Sequence, residues 1–216
     1  MADYALMLRG LTLLALATML WTPAANGQPP RFVGTIAGVT AADLPHSYRA
    51  GCPVGPSQLR LLRVGYWGFD GRARVGSIVV RDRVARDVVT VFRRLYAARF
   101  PIRRLRKVDA YRGSDDASMA ADNTSGFNCR FVSGTRHWSQ HAYGEAIDVN
   151  PVENPYVQGS RVSPPAGRRY LDRSRARAGM AVDGGVLVRA FEAVGWKWGG
   201  RWTGSRDYQH FSTTGR

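Results

Sequence analysis

Lysine is almost missing from this 216-residue chain. Lys107 and Lys197 are the only two, and arginine supplies nearly all of the 31 basic side chains. Acidic residues number only 16, which leaves a formal charge of +15. A surplus of that size points to an anionic partner, and outside a membrane the candidates are anionic cell-wall polymers with free carboxylates and phosphates. The arginines are dispersed and accompany no recognisable DNA- or RNA-binding motif, so no nucleic acid partner is read from them. Arginine enrichment from a GC-rich genome explains the same charge without any partner.

Cysteine is scarce too. Cys52 and Cys129 have no Cys or His partner at ligand spacing, which excludes a cysteine-rich structural metal site. Long apolar runs are absent. The run Leu11 to Leu20 is too short to span a bilayer as a mature helix, but it suits the apolar region of a signal peptide. Arg9 precedes it, and Ala25 and Gly27 offer small residues for cleavage, although Asp3 weakens the basic start. Residues 1–27 are therefore read as a signal peptide or N-terminal anchor, and the location as secreted or cell envelope. In that oxidising setting Cys52 and Cys129 are expected to form a disulfide closing a long loop, the alternative being two unpaired buried thiols. No internal repeat is visible, and residues 28–216 suffice for one domain, expected to be monomeric.

Within that domain, 28–66 reads as an extended opening segment of Pro, Gly and small polar residues. Gly76–Val80 reads as a short strand, followed by a helix from about Asp82 to Arg99. Its Val84, Val88, Val91, Leu95 and Tyr96 recur at helical spacing, and Pro101 ends it. Arg104 to Tyr111 reads as a strand delivering Arg112 to a loop. A second helix is expected after an N-cap at Asp183, with Leu187, Ala190, Phe191 and Val194 on its apolar face and Gly195 at its stop. Trp196, Trp198 and Trp202 follow in a strand-like alternation, and residues 151–180 read as a long irregular rim. Short strands among two helices give an α+β fold.

The chemistry concentrates in two places. In Ser139-Gln-His-Ala-Tyr-Gly-Glu-Ala-Ile-Asp148, period-two geometry after Gly144 puts Ala146, Asp148 and Asn150 on one face and Ile147 and Val149 on the other. Near the C-terminus stands Asp207-Tyr-Gln-His210-Phe. Two His and one Asp are the ligand set of a catalytic zinc, which keeps an open position for water. A further carboxylate in hydrogen-bond reach of that water supplies a base. Asp207 is preferred to Glu145, which falls on the face opposite Asp148. His137, four residues before His141, is rejected as a ligand because no Glu stands beside it and Ser133, Gly134 and Gly144 argue against a helix.

The paired pattern Ser-x-His-x-x-Gly-x-Ala-x-Asp and Asp-x-x-His-Phe resembles the VanY-type D-alanyl-D-alanine carboxypeptidase family of zinc metallopeptidases. Its relatives include VanX-type dipeptidases, phage L-alanyl-D-glutamate endopeptidases and the hedgehog domain. The resemblance covers roughly residue 50 onward and is weaker upstream of Tyr111. It implies that His141, Asp148 and His210 bind Zn2+, that Asp207 is the general base, and that Arg112 contacts substrate or transition state, with Ser139 and Ser118 as further substrate-binding candidates. It also implies a small, mainly antiparallel sheet bearing the site with helices packed on it, within a catalytic core at 104–216. The implied activity is hydrolysis of an amide bond in peptidoglycan stem peptides. Asp at the base position, where D-Ala-D-Ala-cleaving relatives commonly carry Glu, leaves carboxypeptidase and L-Ala-D-Glu endopeptidase chemistry both open. An inactive zinc-containing wall-binding module is the alternative.

Overall fold

Leu62, Val64 and Tyr66 alternate along a strand and bury one face in the main core, while Leu59 on the opposite face packs with Val79 in a second, smaller core. In the computed structural model, which describes residues 30–216, this strand is β2 (Leu59–Trp67). It lies between β1 (Gly34–Gly38) and β3 (Ala73–Arg81) in an antiparallel sheet. The stretch expected to be an extended opening segment thus contributes two paired strands. The signal or anchor segment lies outside the described residues.

A 3-10 turn at Asp82–Val84 leads into α1 (Ala85–Ala97). Val88, Val91, Phe92 and Leu95 are fully buried against β2 and β3. Each such side chain contributes roughly 1.5–3 kcal/mol of burial, so this stripe alone anchors the N-terminal layer. The chain then passes through β4 (Arg104–Leu105), a 3-10 turn at Val108–Tyr111, α2 (Asp115–Ala120) and β5 (Asn123–Thr124), which pairs in parallel with β4. The long strand expected before Arg112 is only two residues, because the Asn123 side chain takes over the Arg106 backbone, accepting from its N–H at 2.9 Å and donating to its C=O at 3.0 Å.

Downstream come β6 (Ala146–Asp148), the hairpin β7 (Tyr156–Gln158) and β8 (Arg161–Ser163), then α3 (Val186–Glu192), β9 (Lys197–Trp198), β10 (Arg206–Asp207) and β11 (His210–Ser212). They form two further antiparallel sheets, ordered β6-β11-β9 and β10-β7-β8. The irregular rim expected at 151–180 therefore contains a paired hairpin. Helix α3 is capped by Gly185 rather than Asp183, whose carboxylate is engaged by Arg201. Trp196, Trp198, Phe191 and Phe211 join the α1 stripe in one core. The result is a single-domain α+β fold in which three small antiparallel sheets replace the one expected. No helix among the described residues is long and apolar enough to cross a membrane.

A buried acid sits beside this frame. Glu153 is fully buried; its Oε1 accepts from Tyr170 Oη at 3.2 Å and Arg103 at 3.4 Å, while Oε2 has no partner. Burial pushes its carboxyl up to about 7, Asp122 adds to the rise, and Arg103 opposes it. The folded state therefore holds a proton that the unfolded chain releases near 4.5, so this contribution is full below that pH and is lost as pH climbs through about 7. Glu153→Gln should flatten the fall in stability across that window by roughly 2 kcal/mol, read from denaturant midpoints at pH 4.5 and 7.5.

Candidate metal centre

Two of the three candidate ligands are cross-strand neighbours. Antiparallel register sets His210 of β11 directly opposite Asp148 of β6, and paired residues point to the same face. Ile147, on the other face of β6, is fully buried in the main core, so the strand cannot slip by one residue without burying Asp148 in it. Ser125 clamps the far edge of β6: its N–H donates to Asp148 O at 3.0 Å and its O accepts from Asp148 N at 2.9 Å.

The third ligand comes from the 3-10 turn Gln140–Tyr143, which ends on Gly144 in the left-handed region at φ 70°. A Cβ there would lie 2.6 Å from Arg81 N, whose amide donates to Gly144 O at 2.8 Å. The turn is thereby pressed against β3, and only glycine permits both the angle and the approach. Ser139 caps it by accepting from His141 N at 3.3 Å.

These constraints converge three donors. His141 Nε2 lies 3.1 Å from Asp148 Oδ2, His210 Nδ1 lies 3.2 Å from Asp148 Oδ1, and the two ring nitrogens lie 3.3 Å apart. All three residues are buried. The remaining ring nitrogens decide the tautomers, because a carbonyl can only accept. His141 Nδ1 donates to Gly126 O at 2.7 Å and His210 Nε2 donates to Arg216 O at 3.2 Å. Each neutral imidazole then turns a lone pair toward the other and toward a carboxylate. Only a proton or a cation relieves that arrangement. Around a tetrahedral zinc with bonds of about 2.0–2.1 Å, neighbouring donors sit roughly 3.3 Å apart, close to these spacings. The residues fit a zinc ion.

Electrostatics agree. Burial alone would raise the Asp148 carboxyl, but His141 and His210 outweigh it and hold the group below the usual carboxylate range. Burial would lower His210, yet Asp148 and Asp207 raise it. Asp207, on β10, is pushed up to about 7, chiefly by burial, with Asp148 adding and His210 opposing. Its Oδ1 is buried without a hydrogen-bond partner.

The Arg216 main-chain oxygen is itself held. Ser212 Oγ donates to it at 3.0 Å and accepts from Gly215 N at 3.0 Å, while Trp202 Nε1 donates to Gly215 O at 2.7 Å. Outer partners of this kind set ligand orientation and basicity. Ser212→Ala should weaken divalent-metal affinity by about tenfold or more, measured by competition with a chromophoric chelator.

The other candidates fall as follows. The Glu145 carboxylate is already engaged: it pairs bidentately with Arg83 at 2.8 and 2.6 Å and accepts from Thr213 Oγ1 at 3.1 Å. His137 is exposed, and so is Arg112, whose backbone adopts φ 55°. Ser118 is buried and accepts from Asn123 Nδ2 at 3.0 Å, and Ser139 is buried as the cap described above. Cys52 and Cys129 form the expected disulfide, with Cα atoms 5.8 Å apart. Asp115 feels Asp148 and His141 in the fold, is raised mainly by burial, and pairs with Arg130 at 2.9 Å. The Gly126 and Arg216 main-chain oxygens, being backbone, leave no trace in residue type.

No curated protein and no solved structure matches the chain. Residues 133–213 match a family model described as D-alanyl-D-alanine carboxypeptidase, a stretch that carries all three candidate ligands and Asp207 while leaving α1, the N-terminal sheet and Arg112 outside. That match, falling on the segment where the donors converge, supports kinship of this chain with the VanY-like peptidase family.

Proposed function

We propose that the protein is a zinc-dependent peptidase that hydrolyses an amide bond in peptidoglycan stem peptides outside the cytoplasm. The observation that carries this reading is the convergence of two imidazole lone pairs and one carboxylate beside the buried, unpartnered Oδ1 of Asp207. His141, Asp148 and His210 would hold the ion. When bound, zinc lowers the pKa of a water ligand and polarises a substrate carbonyl.

The protein's own groups then divide the work. Asp207 takes up a proton at Oδ1 during attack and returns it to the leaving amine, a role suited to a carboxyl that burial has tuned toward neutrality. The Gly126 and Arg216 main-chain oxygens keep the imidazoles in one tautomer and orientation. Arg112, exposed just before α2, anchors a substrate carboxylate through its planar fork of donors. The Asp115–Arg130 pair borders the same space and shapes its polarity. Whether the scissile bond is D-Ala-D-Ala or L-Ala-D-Glu depends on how far the rim lets a peptide extend past the cut.

Incubation of the purified protein with defined muropeptides, with and without a chelator, tests the reading by product mass. Cleavage lost on chelation and restored by zinc is expected, and the mass identifies the bond. Intact muropeptides after full zinc loading overturn it.

A further inference from the structure

A second polar site is lined in part by the turn that carries His141. A cavity of about 480 Å³ is lined by Arg81, Arg83, Arg136, Trp138, Tyr143 and Glu145, among others. A neighbouring cavity of about 440 Å³ shares Arg83 as a wall and adds Arg60 and Arg86. Together they bring five arginines against two carboxylates, Asp82 and Glu145.

Those carboxylates are already committed. Glu145 is taken by Arg83 and Thr213. Asp82 accepts from Arg83 N at 2.7 Å and stands 3.6 Å from Arg81 and 4.0 Å from Arg60, beyond hydrogen-bond range. Among the described residues neither Arg86 nor Arg136 has a carboxylate within ion-pair distance. Arg81 is the most telling. Its side chain is only 20% exposed, and its buried Nε has no hydrogen-bond partner. A largely buried guanidinium with an unmet donor, lining a cavity, is costly unless an anion meets it.

The shape of the walls selects the kind of anion. The Trp138 ring is already engaged: Phe131 is stacked on it at 4.0 Å between centroids and the Arg49 guanidinium lies over its ring at 5.6 Å. Single-stranded nucleic acid sites rely on open aromatic faces as well as cations, and this wall offers none at Trp138. Guanidinium forks match phosphate oxygens, and two joined cavities suit successive charges on one chain.

We infer that this arginine-lined trough binds a linear, non-aromatic polyanion whose charges are phosphates, at a site separate from the metal centre. Gln140 and Tyr143 line the first cavity and belong to the same 3-10 turn as His141, so a polymer seated there is held beside the candidate catalytic site. Tethering of that kind raises the local concentration of neighbouring substrate without touching the chemistry. The trough stands on its own geometry and does not need the peptidase reading.

Calorimetric titration of the full protein, stripped of metal, with short-chain linear polyphosphate tests the inference. Saturable binding that weakens as salt rises is expected. The pair Arg81→Gln and Arg136→Gln should weaken it by about tenfold or more, whereas Arg94→Gln with Arg175→Gln, which removes the same charge elsewhere, should change it by less than about twofold. Should the Arg81 variant fail to fold, the exposed pair Arg86→Glu and Arg136→Glu carries the same test. Equal losses in the trough and control variants, no saturable binding, or tighter binding of oligothymidylate than of polyphosphate at matched charge would each overturn the assignment.

Discussion

Replacing Asp207 by Ala is expected to lower the proposed peptide hydrolysis by about 10²- to 10⁴-fold while zinc content stays close to that of the parent protein. The range is that of a lost general acid–base group. The separation between the two readouts follows from geometry: the three donors that meet within 4.8 Å of one another do not include Asp207. Its carboxyl is nevertheless tied electrostatically to all three, being moved by Asp148, His210 and His141 in addition to burial. Loss of turnover with metal retained identifies a proton carrier. Loss of both together reassigns Asp207 to metal binding, and full activity in the Ala variant removes it from the mechanism.

The double variant Cys52→Ser, Cys129→Ser should lose on the order of 4 kcal/mol of stability, the chain-entropy value for releasing a loop as long as the 77-residue separation. That is a large fraction of the roughly 5–15 kcal/mol that holds a typical domain together. The effect reaches the site, because the segment tied by Cys129 also supports His141. Asn128 N donates to His141 O at 3.1 Å, Phe127 N donates to Val79 O at 2.8 Å, and Gly126 O fixes the His141 ring. Urea unfolding with and without reductant measures the loss, and metal affinity should fall alongside it. A midpoint that reductant leaves in place contradicts the expectation.

The parts of this molecule that could be read before folding are those written in side-chain type at short range. Alternation after Gly144 fixed the facing of Ile147 and Asp148, and the spacing of Val88, Val91 and Leu95 fixed the buried stripe of α1. The His-Asp-His set was visible because zinc chemistry demands those residue types, and the fold brings all three together. What stayed hidden depends on partners distant in the chain. β2 looked like part of an irregular segment because its flanks are rich in Pro and Gly, and its strand character emerges only from pairing with β1 and β3. Helix α3 begins later than expected because Arg201, 18 residues on, takes the Asp183 carboxylate. The tautomers of both candidate-ligand imidazoles are set by main-chain oxygens, which every residue possesses and no motif can flag.

The proposed chemistry requires that His141, Asp148 and His210 share one ion. X-ray absorption at the zinc edge of the zinc-loaded protein, quantified against protein concentration, measures this most directly. One zinc per chain with two imidazole nitrogens and oxygen donors at about 2.0–2.2 Å is the expected result, lost in His210→Ala. Zinc bound in equal amount by the His210→Ala variant, or a parent spectrum without imidazole scattering, contradicts it.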